Sequence, residues 1–555
     1  MTTTTLHGTP VVPGIGYGPV VRPAPRPTVS GTAVEVPQSR RDAERDRFHA
    51  AVAAVAGRLD ERAERASGQA AEVLRTTALM AQDPTLAAAV EAAIGAGTPA
   101  VQAVVSATEQ FTTMFATAGG LMAERVTDLE DIRDRVVSAL LGLPEPGVPA
   151  PEVPSVLLAD DLAPADTALL DPHVVVALAT RLGGPTSHTA IIARQLGIPC
   201  VVAVTGLDEI AAGTLVLVDG DTGTVVADPD EADAHEQVGA ASARAAEAAR
   251  WRGTGQTADG HAVDLMANVA DGAAAREAAA GVAQGVGLFR TELGFLSAST
   301  EPSVAQQTAI YAGVIEAFPD SKVVVRTLDA GSDKPLVYAG LPEEANPALG
   351  VRGLRIALDD PGILDRQLDA IAAAAERSHG PVWVMAPMVA TVAEAAFFAE
   401  RVRSRGLVAG VMIEVPAAAL LAEALLAEVD FVSIGTNDLT QYTMAADRLS
   451  PSLAVLSDPW QPAVLTLVRL TAEAGQRVGK PVGVCGEAAA DPLLACVLVG
   501  LGATSLSAAA AALPAVGARL AGVTLAACQE AAQAVLATTD PAAAREAARA
   551  VLDAV

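Results

Sequence analysis

The sequence predicts a multidomain α/β protein in which an α/β domain carries an inserted helical domain and is followed by a (β/α)8 barrel. Three observations predict it. A long amphipathic helical stretch, Ser39 to Leu143, is bracketed by short strand-like segments. Apolar runs then alternate with helices from Ser155 to Asp219. Beyond Gly260, eight short apolar runs separated by helical stretches fill about 295 residues, the count and size of a (β/α)8 barrel.

Taken in order, Val11 to Val21 reads as short strands around the Pro13-Gly14 turn. The helical block opens with Asp42, Glu44, Arg45, Asp46 and Arg47 and carries mixed charges from Arg58 to Arg65, which are solvated helix faces. It closes at the proline-rich hinge Pro144 to Pro149. Ser155–Ala159, Val174–Leu178, Cys200–Val202 and Leu215–Asp219 are predicted strands. One strand set precedes the helical block and the rest follow it, so the block reads as an insertion. The expected boundaries are 1–30 and 145–228 for the α/β domain, 31–144 for the helical domain, 229–256 for a linker helix and 257–555 for the barrel. The expected barrel strands are Val263–Asn268, Val286–Arg290, Val323–Asp329, Val382–Met388, Val408–Glu414, Phe431–Asp438, Pro481–Glu487 and Ala503–Ser507. Each ends in a polar or catalytic-type residue, where barrel active sites sit.

With 51% hydrophobic residues, the 555-residue chain is able to bury several cores. A net charge of −28 repels nucleic acid and anionic lipid, and attracts a basic protein partner. Four cysteines without paired spacing point to a reduced, cytoplasmic protein. Met1 to Gly16 has neither a basic nor an apolar leader region, so no signal peptide is expected. The uncharged stretch Pro492 to Ala518 is long enough to span a bilayer. Its glycines, hydroxyl residues and Pro514 favour a helix, a turn, a buried strand and another helix.

The candidate chemistry begins at Gly183-Gly184-Pro185-Thr186-Ser187-His188-Thr189, where a histidine opens an apolar-periodic helix after a flexible turn. Free amides of a first helical turn and the positive end of its dipole favour a phosphoryl group there. Thr186, Ser187 and Thr189 are candidate donors to its oxygens, and the dipole keeps His188 neutral and nucleophilic. An ordinary helix cap beside a packed histidine is the competing reading.

On the barrel, Arg290, Arg326 and Arg448 offer forks that match a carboxylate or phosphate. Taken singly, each reads equally as a salt-bridge arginine. Glu414 and Asp438, at neighbouring strand ends, supply hard oxygens for Mg²⁺, against the alternative of helix caps. Asn437 adds an amide to orient an oxygen. Cys485 is a candidate proton donor, although a cysteine in an apolar strand is more commonly inert packing.

With Pro13-Gly14-Ile15, the segment at His188, Gly287-Leu288-Phe289-Arg290-Thr291-Glu292, Val325-Arg326-Thr327-Leu328-Asp329, Gly435 to Tyr442 and Cys485-Gly486-Glu487 in this order, the chain resembles phosphoenolpyruvate-protein phosphotransferase, enzyme I of the bacterial sugar phosphotransferase system. The resemblance runs nearly end to end. It implies a swivelling phosphohistidine domain, an inserted helical domain that docks the histidine phosphocarrier protein HPr, and a barrel that binds phosphoenolpyruvate and Mg²⁺ and forms a homodimer. It implies His188 as the phosphorylated residue and Cys485 as proton donor. Arg290, Arg326, Asn437, Asp438 and Arg448 would bind phosphoenolpyruvate, and Glu414 and Asp438 the metal. Pro185, Ala330 and Ser332 depart from the family pattern without removing a proposed ligand.

Two other readings compete with this one. A phosphoenolpyruvate synthase or pyruvate phosphate dikinase shares the histidine and barrel modules but needs a nucleotide-binding domain ahead of them, and no glycine-rich phosphate loop precedes His188. A non-catalytic scaffold that senses phosphoenolpyruvate does not need the full set of nucleophile, carboxylates, arginines and thiol. The histidine and the barrel residues fall in different domains, so the histidine domain is expected to swing, with hinges among the glycine- and alanine-rich stretches from Gly220 to Gly260.

Overall fold

The computed structural model describes residues 4–24, 27–29, 34–65, 68–118, 125–148, 151, 153–162, 170–184, 187–296, 300–331, 338, 344–359, 361–448 and 450–554. The chain divides into two compact units, residues 1–242 with 449–454, and residues 243–448 with 455–555.

The first unit is built on one sheet of eight strands among the described residues, in the order β1-β8-β7-β3-β4-β5-β6-β2. The strands are β1 (Thr4–His7), β2 (Thr9–Val12), β3 (Ile15–Val21), β4 (Ser155–Ala159), β5 (Val175–Thr180), β6 (Cys200–Val202), β7 (Leu215–Asp219) and β8 (Thr224–Ala227). β3, β4, β5 and β6 run parallel, whereas β7, β8, β1 and β2 pair antiparallel. Strands from before and after the helical block therefore interleave, and the block is an insertion into the sheet's sequence. β4 is buried along its whole length, the pattern of a strand covered on both faces. Val156, Leu158 and Val216 pack on one face and Leu157, Leu178 and Cys200 on the other.

The inserted helices are α1 (Arg41–Arg65), α2 (Gly68–Ala81), α3 (Pro84–Gly95), α4 (Ala100–Ala118) and α5 (Val126–Leu141). They close around their own core of Phe48, Val55, Leu59, Ile94, Ile132 and Val136. Asp83 starts α3 by accepting from the amides of Thr85 and Leu86, with Pro84 at the first helical position. Glu145, just past α5 in the proline-rich hinge, is bound by Arg58, Arg62 and Arg135. Burial opposes its charge, but the three guanidiniums hold its carboxyl below the usual range. α6 (His188–Leu196) connects β5 to β6, and α7 (Glu231–Arg250) follows β8.

The second unit is a closed barrel of eight parallel strands: β9 (Asp264–Val269), β10 (Val286–Arg290), β11 (Val323–Arg326), β12 (Val382–Ala386), β13 (Val408–Ile413), β14 (Phe431–Gly435), β15 (Val482–Cys485) and β16 (Ser505–Ala508). The fold class read from the sequence is the one observed. Each expected barrel run overlaps one strand: Val286–Arg290 matches β10, five runs overshoot where their polar ends leave the ladder, and β9 and β16 continue one residue past the expected Asn268 and Ser507. Leu288, Val324, Met385, Met412, Phe431 and Cys485 fill the barrel interior, and the larger core lies between strands and surrounding helices. Pro492 to Ala518 divides into a helix (Pro492–Gly500), β16 and the first turns of a helix (Leu513–Ala521). Among the described residues no single helix is long and apolar enough to cross a membrane.

Candidate active site at the carboxyl end of the barrel

Parallel strands bring their carboxyl ends to one rim, and the ladder register fixes which residues meet there. Arg290 and Arg326 are direct partners across β10 and β11. Gly435 and Cys485 are partners across β14 and β15. Glu414 follows the last residue of β13, and Asn437 and Asp438 lie in the first turn of the helix Thr436–Met444 after β14.

The arginines differ in what holds them. Arg290 is exposed at its strand end. Arg326 is buried and paired with Glu292, and with Asp329 at 3.1 Å. Its Nε is buried without a hydrogen-bond partner among the described residues. Burial opposes its charge, but Glu292 and Asp329 outweigh that and raise its pKa. Arg448 lies 3.6 Å from Asp438 Oδ2, and its amide donates to Gln441 Oε1 at 3.1 Å. The turn that delivers it passes through Ala445 at φ 50°, a left-handed conformation costly for a residue with a Cβ.

Sequence reasoning missed Arg352, which stands at the centre of the cluster. Its Nε and Nη2 donate to Asp329 Oδ1 and Oδ2 at 2.9 and 3.0 Å, and its Nη1 donates to Asp438 Oδ1 at 3.2 Å. Burial disfavours its charge, and Asp329 and Asp438 more than compensate. The available signal was Gly350-Val351-Arg352-Gly353, an arginine before a glycine that adopts φ +59°. Among the departures from the family pattern, Ala330 is fully buried and its carbonyl accepts from Gly353 N at 2.9 Å, so a small residue fits there. Ser332 lies outside the described residues.

Neither carboxylate is a helix cap. Glu414 is fully buried, and its Oε1 accepts from Met388 N at 2.6 Å. Met388 takes φ 60°, so the backbone is strained where it turns this amide toward the carboxylate. Glu414 Oε2 has no partner among the described residues, and a Cβ at Gly435 would stand 2.8 Å from it. Burial first, then the charges of Asp438 and Asp329, push the Glu414 carboxyl up to about 8, with Arg326 opposing. No cluster of three or more His, Cys, Asp or Glu side chains suited to a metal occurs among the described residues. A buried, unpartnered oxygen beside a second carboxylate does fit a hard cation that keeps water and substrate oxygens as its other ligands.

Cys485 is buried in the barrel interior, and its Sγ donates to Ile434 O at 3.4 Å. Burial pushes its thiol pKa up, so it holds its proton. Asn437 Oδ1 accepts from Glu487 N at 3.3 Å. That approach needs Gly486, at φ +104°, where a Cβ would collide with Thr436 Oγ1.

His188 belongs to the other unit and is the first residue of α6, which is capped by Ser187 Oγ accepting from Ala190 N at 3.2 Å. One expectation changes: the Thr189 hydroxyl donates to Asp161 Oδ1 at 2.9 Å, so it is engaged within the fold and is not a free donor toward a phosphoryl group. Pro185, Thr186 and the His188 side chain lie outside the described residues.

Residues 244–525 match the family model of the PEP-utilising enzyme PEP-binding domain, residues 7–125 that of the N-terminal domain and residues 151–223 that of the mobile domain. A phosphoenolpyruvate-protein phosphotransferase of Streptomyces coelicolor is 51% identical over 537 residues, covering 96% of each chain. The chain belongs to the phosphoenolpyruvate-protein phosphotransferase family. A phosphoenolpyruvate-protein phosphotransferase of Haloferax volcanii is 39% identical over 97% of each chain. A multiphosphoryl transfer protein of Xanthomonas campestris is 41% identical over 78% of this chain and 53% of its own. As a member of this phosphotransferase family the chain is a phosphoenolpyruvate-utilising enzyme.

Proposed function

We propose that the chain transfers the phosphoryl group of phosphoenolpyruvate to His188 and then to HPr, releasing pyruvate as the first step of a sugar phosphotransferase system. The observation that carries the reading is the convergence of Arg326, Arg352, Glu414 and Asp438 on one barrel rim, beside the exposed Arg290. Phosphoenolpyruvate carries a carboxylate and a phosphate, so it needs several positive charges at one place. Arg290, Arg326 and Arg448 provide forks for these groups, and Asn437 and Asp438 orient the remaining oxygens. Glu414 and Asp438 would hold Mg²⁺, which supplies charge neutralisation at the phosphoryl oxygens when bound.

An imidazole nitrogen of His188 attacks phosphorus in line, the bond to the bridging oxygen breaks, and its electron pair passes to the enolate. As that pair forms the carbonyl, the methylene carbon takes the proton of Cys485, and the thiolate regains one from solvent. The first-turn amides of α6 stabilise the phosphohistidine. Arg352 holds Asp329 and Asp438 apart from each other's charge.

We assign 1–30 and 145–228 to the phosphohistidine domain, 31–144 to HPr docking, 229–256 to the linker and 257–555 to substrate binding and homodimerisation. Exposed Leu349, Leu420 and Leu421 support an apolar contact between barrels. Relay to a carrier is supported by the relative named as a multiphosphoryl transfer protein. Free cysteines at 200, 485, 496 and 528 support a reducing, cytoplasmic setting.

The test is incubation with labelled phosphoenolpyruvate and Mg²⁺, with and without EDTA and HPr. Base-stable, acid-labile label is expected, dependent on metal and chased onto HPr. His188→Ala should abolish labelling and keep phosphoenolpyruvate binding. Label on that variant, or labelling from ATP, would overturn the assignment.

A further inference from the structure

Arg290 and Arg326 face each other across the ladder, and the pairing of β10 with β11 goes no further than these two residues. Besides the bond from Thr327 N to Met385 O at 2.9 Å, the chain just after both arginines is held by one shared buried side chain, Gln367, on the helix Gly362–Ala375. Its Oε1 accepts from Leu328 N at 3.0 Å, two residues past Arg326. Its Nε2 donates to Thr291 Oγ1 at 3.2 Å, one residue past Arg290, and to Tyr311 OH at 3.1 Å. Thr291 Oγ1 in turn donates to Arg326 O at 3.0 Å.

The roles in this chain are fixed by its ends. An amide N–H at Leu328 only donates, so the carboxamide oxygen must face it, which points the NH₂ at Thr291 and Tyr311. The Tyr311 hydroxyl donates to Gln307 Oε1 at 3.2 Å, and Gln307 Nε2 donates to Pro302 O at 2.8 Å. The Tyr311 ring also packs edge-on against Phe289, the residue before Arg290. Gln367, Thr291, Tyr311 and Gln307 are all at most 2% exposed. Packing alone would be served by an apolar residue beside Leu364, Leu368 and Ile371, without the desolvation cost of a buried amide.

We propose that Gln367 is a positioning residue that sets the spacing of Arg290 and Arg326, and so the fit of the site to a dianionic enol phosphate. The proposal rests on the reading of these two arginines as phosphoenolpyruvate ligands. Gln367 touches neither substrate nor reacting atoms; it acts by binding both backbones at once. Gln367→Met conserves volume and removes its hydrogen bonds, leaving the bond of Thr291 Oγ1 to Arg326 O as the tie between the two segments past the ladder.

The experiment measures KM and kcat for phosphoenolpyruvate, direct phosphoenolpyruvate binding by calorimetry with Mg²⁺, and Tm, all on the full chain. Gln367→Met and Thr291→Val should each raise KM and Kd on the order of tenfold to a hundredfold, the cost of a small misplacement of binding groups, with kcat changing less. The double variant should be little worse than either single one, because both cut the same chain of bonds. Thr291→Ser keeps the hydroxyl and should restore most of the affinity. A lowered Tm with unchanged KM in both single variants would reduce Gln367 to a packing role and overturn the proposal. Arg326→Ala separates the two readings. If it binds phosphoenolpyruvate normally, the ligand assignment fails; if it does not bind while Gln367→Met and Thr291→Val bind normally, only the positioning role fails.

Discussion

Arg352 grips Asp329 with two parallel hydrogen bonds, Nε to Oδ1 and Nη2 to Oδ2, and reaches Asp438 with the same guanidinium. Two carboxylates that follow different strands thus share one planar cation, with Arg326 also against Asp329 and Arg448 against Asp438. A lysine has three donors too, but on one nitrogen, so it cannot form the parallel pair on Asp329 and still reach Asp438.

Arg352→Lys is therefore expected to be damaging although it keeps the charge. An ammonium cannot keep all three of these bonds, so Asp329 is left more to Arg326, or Asp438 more to Arg448. Chemical denaturation should show a loss of about 1–3 kcal/mol, the range for buried hydrogen bonds to charged groups left unmade. Phosphoryl transfer should fall with it. Wild-type stability in the lysine variant would mean that the cluster tolerates a point charge.

Glu414→Gln separates metal binding from folding. The Glu414 carboxyl is raised from 4.5 to about 8. The unfolded chain loses this proton near 4.5 and the folded chain keeps it until about 8, so its stabilising contribution is full at acid pH and lost as pH rises through that window. In EDTA the glutamine variant, which has no charge to bury, should equal the wild type near pH 4.5 and become the more stable of the two by pH 8. With Mg²⁺ the same variant should show no metal-dependent binding of phosphoenolpyruvate. A stability difference that does not grow with pH between 5 and 8, read by denaturation, would show that Glu414 is ionised in the folded protein without metal.

Cys485→Ser keeps the size of the side chain and removes the acid. Phosphoenolpyruvate binding should stay close to wild type, while pyruvate formation slows by about 10² to 10⁴, the range of general acid catalysis. Rapid-quench measurement of pyruvate beside calorimetric binding decides it. Equal rates would return Cys485 to packing among Met385 and Met412.

Gly435→Ala tests the space beside Glu414 without replacing a proposed ligand. Gly435 has φ −87°, so the strain comes from contacts: the added methyl meets Glu414 Oε2 and Met412 Cε at 2.8 Å and Glu414 Cβ at 3.2 Å. Overpacking should cost about 1–3 kcal/mol. The apparent Mg²⁺ affinity should weaken more than the affinity for phosphoenolpyruvate measured without metal. Unchanged metal dependence of activity would place the cation elsewhere.

Legibility in the sequence followed continuity along the chain. β10 is readable to the residue because Val286 to Phe289 is an unbroken buried run ended by a charged residue. β1 and β8 were not read: β1 is a mostly exposed edge strand of threonines, and β8 is a four-residue return after a tight turn. Arg290, Arg326, Glu414 and Cys485 announced themselves as polar interruptions at strand ends. Arg352 lies in a loop with no periodicity around it, and its partners are 23 and 86 residues away, so only the closure of the barrel makes it central. The competing use of the Thr189 hydroxyl was invisible for the same reason, since Asp161 is 28 residues upstream.

The interleaved strand order also governs how this protein is made. β1, β2 and β3 find their neighbours in β8, β6, β7 and β4, none of which exists until residues 155–227 have been translated. At common synthesis speeds that is a wait of roughly ten to forty seconds after Val21 is polymerised. The helices from Arg41 to Leu141 have a core of their own and can close during that interval. Meanwhile Ile15 to Val21 emerges as an apolar strand with both edges open, exposed to any other nascent chain nearby. Slowing translation between Leu141 and Leu215 should lower the yield of native protein, whereas slowing it after Ala227 should not.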